Sequence, residues 1–311
     1  MARTEPDAGS SPLAKLESGG KPAVAAALGE IERAPESGAS LALLDAAYAR
    51  PTAHVIGLTG PPGVGKSTLV GALLKPLRAS GRRVAIIAVD PSSRRSGGAL
   101  LGDRSRIAAD AADAGIFVRS MAARDRLGGL AEESLAAMVL LRALYDVVIL
   151  ETVGVGQSET DVADCADTIV FCVQPGAGDS LQFMKAGIVE IPHIVVVTKS
   201  DMGAAASCAR ADVAGALGLS PAGERPVEVL SLSAAKGEGI EALCEALDRR
   251  WTWLNDDGRL LRQRRSQARH WLADALRQRY GRVGLRRAGV LTLADGESPF
   301  AKLAEISARL S

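Results

Sequence analysis

Gly60-Pro61-Pro62-Gly63-Val64-Gly65-Lys66-Ser67 is a complete GxxxxGKS run, followed by Thr68. An apolar strand-like stretch ends at Thr59, and a helix-length stretch begins near Lys66. In that context, glycines let backbone N–H groups turn toward phosphate oxygens, and the helix N-terminus favours negative charge. Gly60, Gly63, Val64, Gly65 and Thr68 are therefore expected to cradle a nucleotide phosphate chain. Lys66 is expected to reach the β- and γ-phosphates, and the Ser67 hydroxyl to ligate Mg²⁺.

Such a loop does not choose between adenine and guanine. Thr198-Lys199-Ser200-Asp201 does, because it follows the apolar run Ile194–Val197 later in the same pattern. It reads as a TKxD variant of the NKxD guanine motif. A carboxylate at Asp201 can accept from the guanine ring N–H and its exocyclic amino group together. Adenine would leave that carboxylate unpaired, a costly mismatch. The Lys199 stem is expected over the base plane, and Ser231-Leu232-Ser233-Ala234 supplies a backbone contact to the guanine carbonyl, at Ser233 and Ala234. Thr198 in place of Asn is expected to lose a contact to the base or the phosphate loop.

The run Asp146-Val147-Val148-Ile149-Leu150-Glu151-Thr152-Val153-Gly154 has the form of a Walker B strand ending in an acid. It carries ExxG where small GTPases carry DxxG. Glu151 is expected near Mg²⁺, and the Gly154 N–H is placed to sense the γ-phosphate. Val155 stands where a Ras-type enzyme has its water-orienting glutamine, and Gln157 comes too late for that role, so slow intrinsic hydrolysis is expected. The segment 89–104 has the make-up of a switch loop, with Asp90 and Asp103 as candidate Mg²⁺ contacts, direct or through water. Arg94 and Arg95 within it read as solvated arginines.

The elements that must position these groups follow from periodicity. Apolar runs at His54–Thr59, Val84–Val89, Val147–Leu150, Thr168–Val173, Ile194–Thr198 and Val227–Leu232 are mostly continuous, as in parallel strands covered on both faces. Helix-length stretches such as Lys66–Ser80 and Ala131–Leu144 lie between them. This βαβα rhythm predicts an α/β fold with a doubly wound, mostly parallel sheet. Polar residues 1–12 predict a disordered tail. Helical patterns at Leu13–Arg33 and Leu41–Arg50 predict an N-terminal extension over 13–50. The P-loop G domain is expected over 51–250. Helices over 251–311 follow, with Ala268, Trp271, Leu272, Ala275, Leu276 and Tyr280 on one apolar face and a last helix around Phe300–Leu310.

Composition limits the rest. Apolar residues are 47% of the 311 and aromatics 3%, so a core must be built from Ala, Val, Leu and Ile. With 37 Lys and Arg against 36 Asp and Glu, total charge argues for neither nucleic acid nor an anionic membrane as partner. The arginines of 259–287 back an apolar helical face without interleaved aromatic platforms, which fits a solvated face or a protein contact. The four cysteines form neither a CxxC pair nor a dense disulfide framework. No apolar run reaches the ~20 residues of a membrane span, and residues 1–11 lack a signal-peptide profile. A cytoplasmic location is expected.

Together the GPPGVGKST loop, the VDPSS…SGG…LLGDR segment, ETVGVGQSE at 151–159 and QPGAGDSLQ…KAGIVEI at 174–191 resemble one group of GTPases. This is the SIMIBI-class MeaB/ArgK/MMAA group, chaperones for adenosylcobalamin-dependent acyl-CoA mutases. The resemblance spans roughly residues 13–280. It implies a homodimeric GTPase with GTP/GDP and Mg²⁺ as ligands, helical extensions at both ends, and a methylmalonyl-CoA mutase-like client, with that client's adenosyltransferase as a second partner. It also implies an additional switch at 175–190 with Lys185 as its catalytic or signalling lysine, and gating of cobalamin loading or protection of the mutase. No DxHxxG motif points to a cobalamin site in this chain. A nickel-inserting metallochaperone would share the fold, but His54, His193 and His270 are dispersed and no CxCC or CPC motif is present. His54 and His193 begin strands and read as structural groups rather than ligands. A P-loop kinase would need an acceptor base near the γ-phosphate, and none stands out.

Overall fold

In the computed structural model of the chain, the described residues are 11–91, 109–123, 132–152, 162–176, 191–218, 225–294 and 296–310. At residues 90, 91, 122, 123, 132 and 133 only the backbone is described. Seven strands form one parallel sheet: β1 His54–Thr59, β2 Val84–Pro91, β3 Ile116–Ala123, β4 Val147–Glu151, β5 Thr168–Val173, β6 Ile194–Val197 and β7 Glu228–Ser231. Their order is β3-β2-β4-β1-β5-β6-β7, with every neighbouring pair parallel. This is the α/β fold expected from the continuous apolar runs.

β1, β4, β5 and β6 are buried along their whole length, so neither sheet face there tolerates polar alternation. β3 is the strand that periodicity does not announce. Arg119 and Ser120 interrupt its apolar run, and among the described residues it is an edge strand with β2 as its only sheet neighbour. The helices are α1 Pro12–Arg33, α2 Gly38–Tyr48, α3 Lys66–Ala79, α4 Glu132–Leu144, α5 Ala204–Leu217, α6 Ile240–Asn255, α7 Arg259–Ala288 and α8 Pro299–Leu310. Two of them are kinked at a glycine with non-helical backbone, α1 at Gly20 and α7 at Gly281.

The chain divides into two compact units. One contains the described residues of 54–131 and 146–264. Its main core joins Leu69, Leu73 and Leu77 of α3 with Leu243 and Leu247 of α6 and side chains from one sheet face, including Ile56, Ile86, Ile149 and Val196. The other contains the described residues of 1–53, 132–145 and 265–311 and is helical. Within it, Leu272, Ala275 and Leu276 of α7 meet Leu303 and Ile306 of α8, and Trp271 packs on Phe300 with ring centroids 4.9 Å apart.

The N-terminal edge of the sheet holds a buried polar cluster. The Arg264 guanidinium donates two hydrogen bonds to Asp167, Nε to Oδ1 at 2.8 Å and Nη2 to Oδ2 at 2.6 Å. The same Oδ2 accepts from the Val55 amide at 2.8 Å. His54 stacks on Trp251 at 4.6 Å, and its Nε2 lies 2.7 Å from the Thr168 hydroxyl. His193 Nδ1 accepts from the Ile169 amide at 2.9 Å. Both histidines therefore act as structural groups at strand starts, the role expected of them from the sequence.

Burial lowers the His54 pKa to about 4, helped by the nearby Arg264 and Arg250 charges and opposed by Asp167 and Asp248. Burial likewise lowers His193 to about 3. Both rings stay neutral in the fold, whereas in the unfolded chain they protonate near pH 6.5. The unfolded state then binds more protons between those values, so stability is complete above about pH 6.5 and falls as pH drops toward 4. The maximal slope is about 1.4 kcal/mol per pH unit for each ring. Urea unfolding midpoints at pH 7.5, 6 and 5 should decline in the wild type and decline less in His54→Gln/His193→Gln. Parallel declines in the two proteins would overturn this assignment.

Candidate functional site

The site is assembled at the C-terminal ends of β1, β4, β5, β6 and β7, near the point where strand order reverses and α/β ligands bind. Leaving β1, the chain turns sharply at Gly60, whose φ is +136°. A Cβ at Gly60 would lie 2.3 Å from the Cys172 carbonyl oxygen of β5, so only glycine fits. Gly65, at φ +103°, forms the N-cap of α3, and the first-turn amides of a helix have no intrahelical acceptor. Val64 is fully buried, which anchors the loop in the core. Lys66 is 7% exposed, and its Nζ donates to the Gly60 carbonyl at 2.7 Å and the Pro61 carbonyl at 3.1 Å. Its ammonium is thus aimed back over the loop; Thr68, two residues along, is exposed.

Glu151 ends β4 and pairs in register with Leu58 of β1 and Ala88 of β2. It is 6% exposed, and its Oε1 accepts from the Ser67 hydroxyl at 2.6 Å. The short bond is consistent with a charge-assisted O–H···O⁻ interaction. Next to it, the Thr152 hydroxyl donates to the Thr59 hydroxyl at 3.0 Å, and the Thr152 amide to the Leu58 carbonyl at 3.1 Å. Glu151 is thereby held beside the phosphate loop from a position 84 residues away in sequence. The Asp90 backbone lies in β2, opposite Ala122 of β3 and two residues beyond the Ala88–Glu151 pair. Asp103, Gly154 and Lys185 lie outside the described residues, as do Arg94 and Arg95.

The TKxD turn follows β6. The Thr198 hydroxyl is within hydrogen-bond reach of the Val64 carbonyl at 2.9 Å and the Val173 carbonyl at 3.0 Å. Of the two contacts that Thr in place of Asn was expected to put at stake, to the base or to the phosphate loop, the one to the loop is therefore present. Lys199 has left-handed backbone, φ +52°, and its Nζ donates to the Gly63 carbonyl at 3.3 Å and to Gln174 Oε1 at 2.6 Å. Asp201 follows in the short 3₁₀ turn Ser200–Met202. The Ser233 hydroxyl, and then its own backbone amide, hold the Asp201 carboxyl below its usual range. It is therefore an anionic acceptor at neutral pH. The Ser200 amide donates to the Leu232 carbonyl at 3.0 Å, which fastens this turn to the segment carrying buried Ser233 and half-buried Ala234.

Lys66, Ser67 and Glu151 thus meet at the phosphate loop, and Thr198, Lys199, Asp201 and Ser233 meet beside it. Sequence reasoning missed Gln174 and Thr152 as members. Each lies in a motif quoted above, ETVGVGQSE or QPGAGDSLQ, as the first residue after a buried strand. Thr198→Val keeps side-chain volume but removes the hydroxyl, leaving two buried carbonyls with one donor fewer. GDP affinity measured by calorimetry should fall roughly tenfold, the equivalent of about 1.4 kcal/mol, and Thr198→Asn should retain it. Unchanged affinity in Thr198→Val would show the link to be idle.

Comparison with known proteins agrees with this geometry. A family described as methylmalonyl-CoA mutase-associated GTPase MeaB matches residues 23–282. A protein of Pyrococcus horikoshii named as a GTPase is 39% identical over 261 residues, covering 82% of this chain and 81% of its own. A mouse protein named methylmalonic aciduria type A homolog, mitochondrial, is 37% identical over 235 residues, 74% of this chain and 56% of its own. The crystal structure of a LAO/AO transport system kinase superposes with a TM-score of 0.69 at 28% identity, over 99% of this chain and 100% of that one. With a complete phosphate loop, a buried acid hydrogen-bonded to its serine, and a family match across most of its length, the chain belongs to the MeaB family of P-loop GTPases.

Proposed function

We propose that GTP lies with its phosphates on Gly60–Thr68 and its base between Lys199, Asp201 and the Ser233-Ala234 segment. The observation that carries this reading is the direct hydrogen bonding of the base loop to the phosphate loop, through Thr198 to Val64 and Lys199 to Gly63. Lys66 would exchange its loop carbonyls for β- and γ-phosphate oxygens, gaining a charge-assisted pair. Ser67 and Glu151 offer a hydroxyl and a carboxylate oxygen 2.6 Å apart, a hard-donor set suited to Mg²⁺. When bound, the ion would neutralise phosphate charge. Asp90 and Asp103 are the further acids that the switch segment could bring to it, and Gly154 the amide facing the γ-phosphate. Water attacks in line, and the chain contributes mainly by holding the phosphates and their charge in place.

The reaction serves a partner. We infer a homodimer that acts as chaperone to an adenosylcobalamin-dependent acyl-CoA mutase of the methylmalonyl-CoA type, gating cofactor loading from its adenosyltransferase or protecting activity. Lys185 is the lysine assigned either to catalysis or to signalling between the two proteins. The family description and the name of the mouse relative support this reading. Residues 13–50 form the N-terminal helical extension, and 251–311 the C-terminal helical segment assigned to dimer or partner contacts.

Two variants test the nucleotide site. Lys66→Ala should lower GTP turnover by at least about a hundredfold, the scale of losing one transition-state charge contact; near-normal turnover would remove Lys66 from the site. Asp201→Asn should weaken GTP and admit xanthine nucleotide, and an unchanged base preference would refute the guanine placement. For the client, GTP turnover is measured alone and with each of several adenosylcobalamin-dependent mutases, with ATP as the control. Acceleration by one mutase is expected. Equal rates across the panel would overturn the client assignment while leaving the GTPase intact.

A further inference from the structure

Three segments contribute consecutive residue pairs to one hydrogen-bonded junction: Gly63-Val64 of the phosphate loop, Val173-Gln174 at the end of β5, and Thr198-Lys199 at the end of β6. Thr198 lies between the Val64 and Val173 carbonyls. Lys199 Nζ lies between the Gly63 carbonyl at 3.3 Å and Gln174 Oε1 at 2.6 Å. Gly63, Val64 and Val173 offer main-chain acceptors, which any residue would supply. Gln174 alone of these four acceptors is a side chain, and it makes the shorter of the two lysine bonds.

The lysine needs such a tether. An exposed Lys has much rotamer entropy to lose on being fixed. Lys199 also has left-handed backbone, which is unfavourable for a non-glycine residue and persists where its surroundings hold it. A carboxamide oxygen fixes the ammonium by a charge-assisted bond without neutralising it. We propose that Gln174 is a positioning residue for nucleotide-base recognition: it holds the Lys199 stem across the phosphate loop, ready to cover the base, without touching the nucleotide itself. This rests on the guanine-site reading above.

The test uses the full chain, with GDP affinity by calorimetry and steady-state GTP turnover. Gln174→Ala should raise the GDP Kd and the GTP KM about fivefold, as for one partly exposed charge-assisted hydrogen bond. It should leave kcat within about twofold and the unfolding midpoint unchanged, since a freed Lys199 weakens binding rather than folding. Gln174→Glu, which keeps an acceptor at the same reach, should stay within about twofold of wild type. Lys199→Ala and the double variant Lys199→Ala/Gln174→Ala should bind GDP alike, because Gln174 acts through Lys199. An unchanged Kd in Gln174→Ala, or a further fivefold loss on top of Lys199→Ala, would overturn the proposal. Asp201→Asn in the same series separates the two levels. If it alters base preference while Gln174→Ala does nothing, only the role of Gln174 fails; if Asp201→Asn also leaves preference unchanged, the guanine site itself is misplaced.

Discussion

The approach of Gly60 to β5 is the contact on which the site depends. With a Cβ 2.3 Å from the Cys172 carbonyl excluded, the phosphate loop can leave β1 close over the end of its neighbouring strand. That closeness brings Val64 and Gly63 within reach of Thr198 and Lys199, and the next turn brings Ser67 to Glu151. A side chain at position 60 would push the loop off β5 and loosen both sets of bonds together. Cys172 suits this place because it is a small buried thiol. Burial pushes its pKa up to about 12, so it remains neutral beside Lys66 and Glu151.

The two edges of the sheet manage buried polarity in opposite ways. At the N-terminal edge the groups are saturated by one another: Asp167 is bonded to Arg264 and to the Val55 amide, and burial, which alone would raise the Asp167 pKa, is outweighed by the guanidinium. Breaking such a pair by removing one member leaves a buried charge, typically a loss of about 3–5 kcal/mol, so this edge is a fixed frame. At the C-terminal edge the charged groups are held by bonds that can be exchanged. Lys66 donates to main-chain carbonyls, and Asp201 is exposed beside the neutral Ser233 hydroxyl.

What can be read from the sequence is what depends on neighbours along the chain. The GxxxxGKS loop, the continuous strands and the TKxD turn are local patterns, and the sheet and the grouping of Lys66, Ser67 and Glu151 follow from them. Strand ends differ by a residue or two, with β2 reaching Pro91 and β6 stopping at Val197. β3 escapes such a reading because an edge strand carrying Arg119 and Ser120 has no continuous apolar run. The Asp167–Arg264 pair spans 97 residues and the Lys199–Gln174 bond 25. Neither separation leaves a periodic trace, so only three-dimensional placement joins them.

The substitution of Thr for Asn at position 198 shows how far a motif can drift and keep its physics. The position must supply a donor that reaches the phosphate loop from the end of β6, and a buried hydroxyl between two carbonyls meets that need as an amide would. A hydroxyl has one proton, however, and two acceptors to satisfy. It therefore ties the loop less firmly than an amide with two N–H groups could. The adjacent Lys199 adds two donations of its own, to Gly63 and to Gln174. That lysine is common to both forms of the motif, so the junction keeps several bonds whichever of the two residues stands at 198.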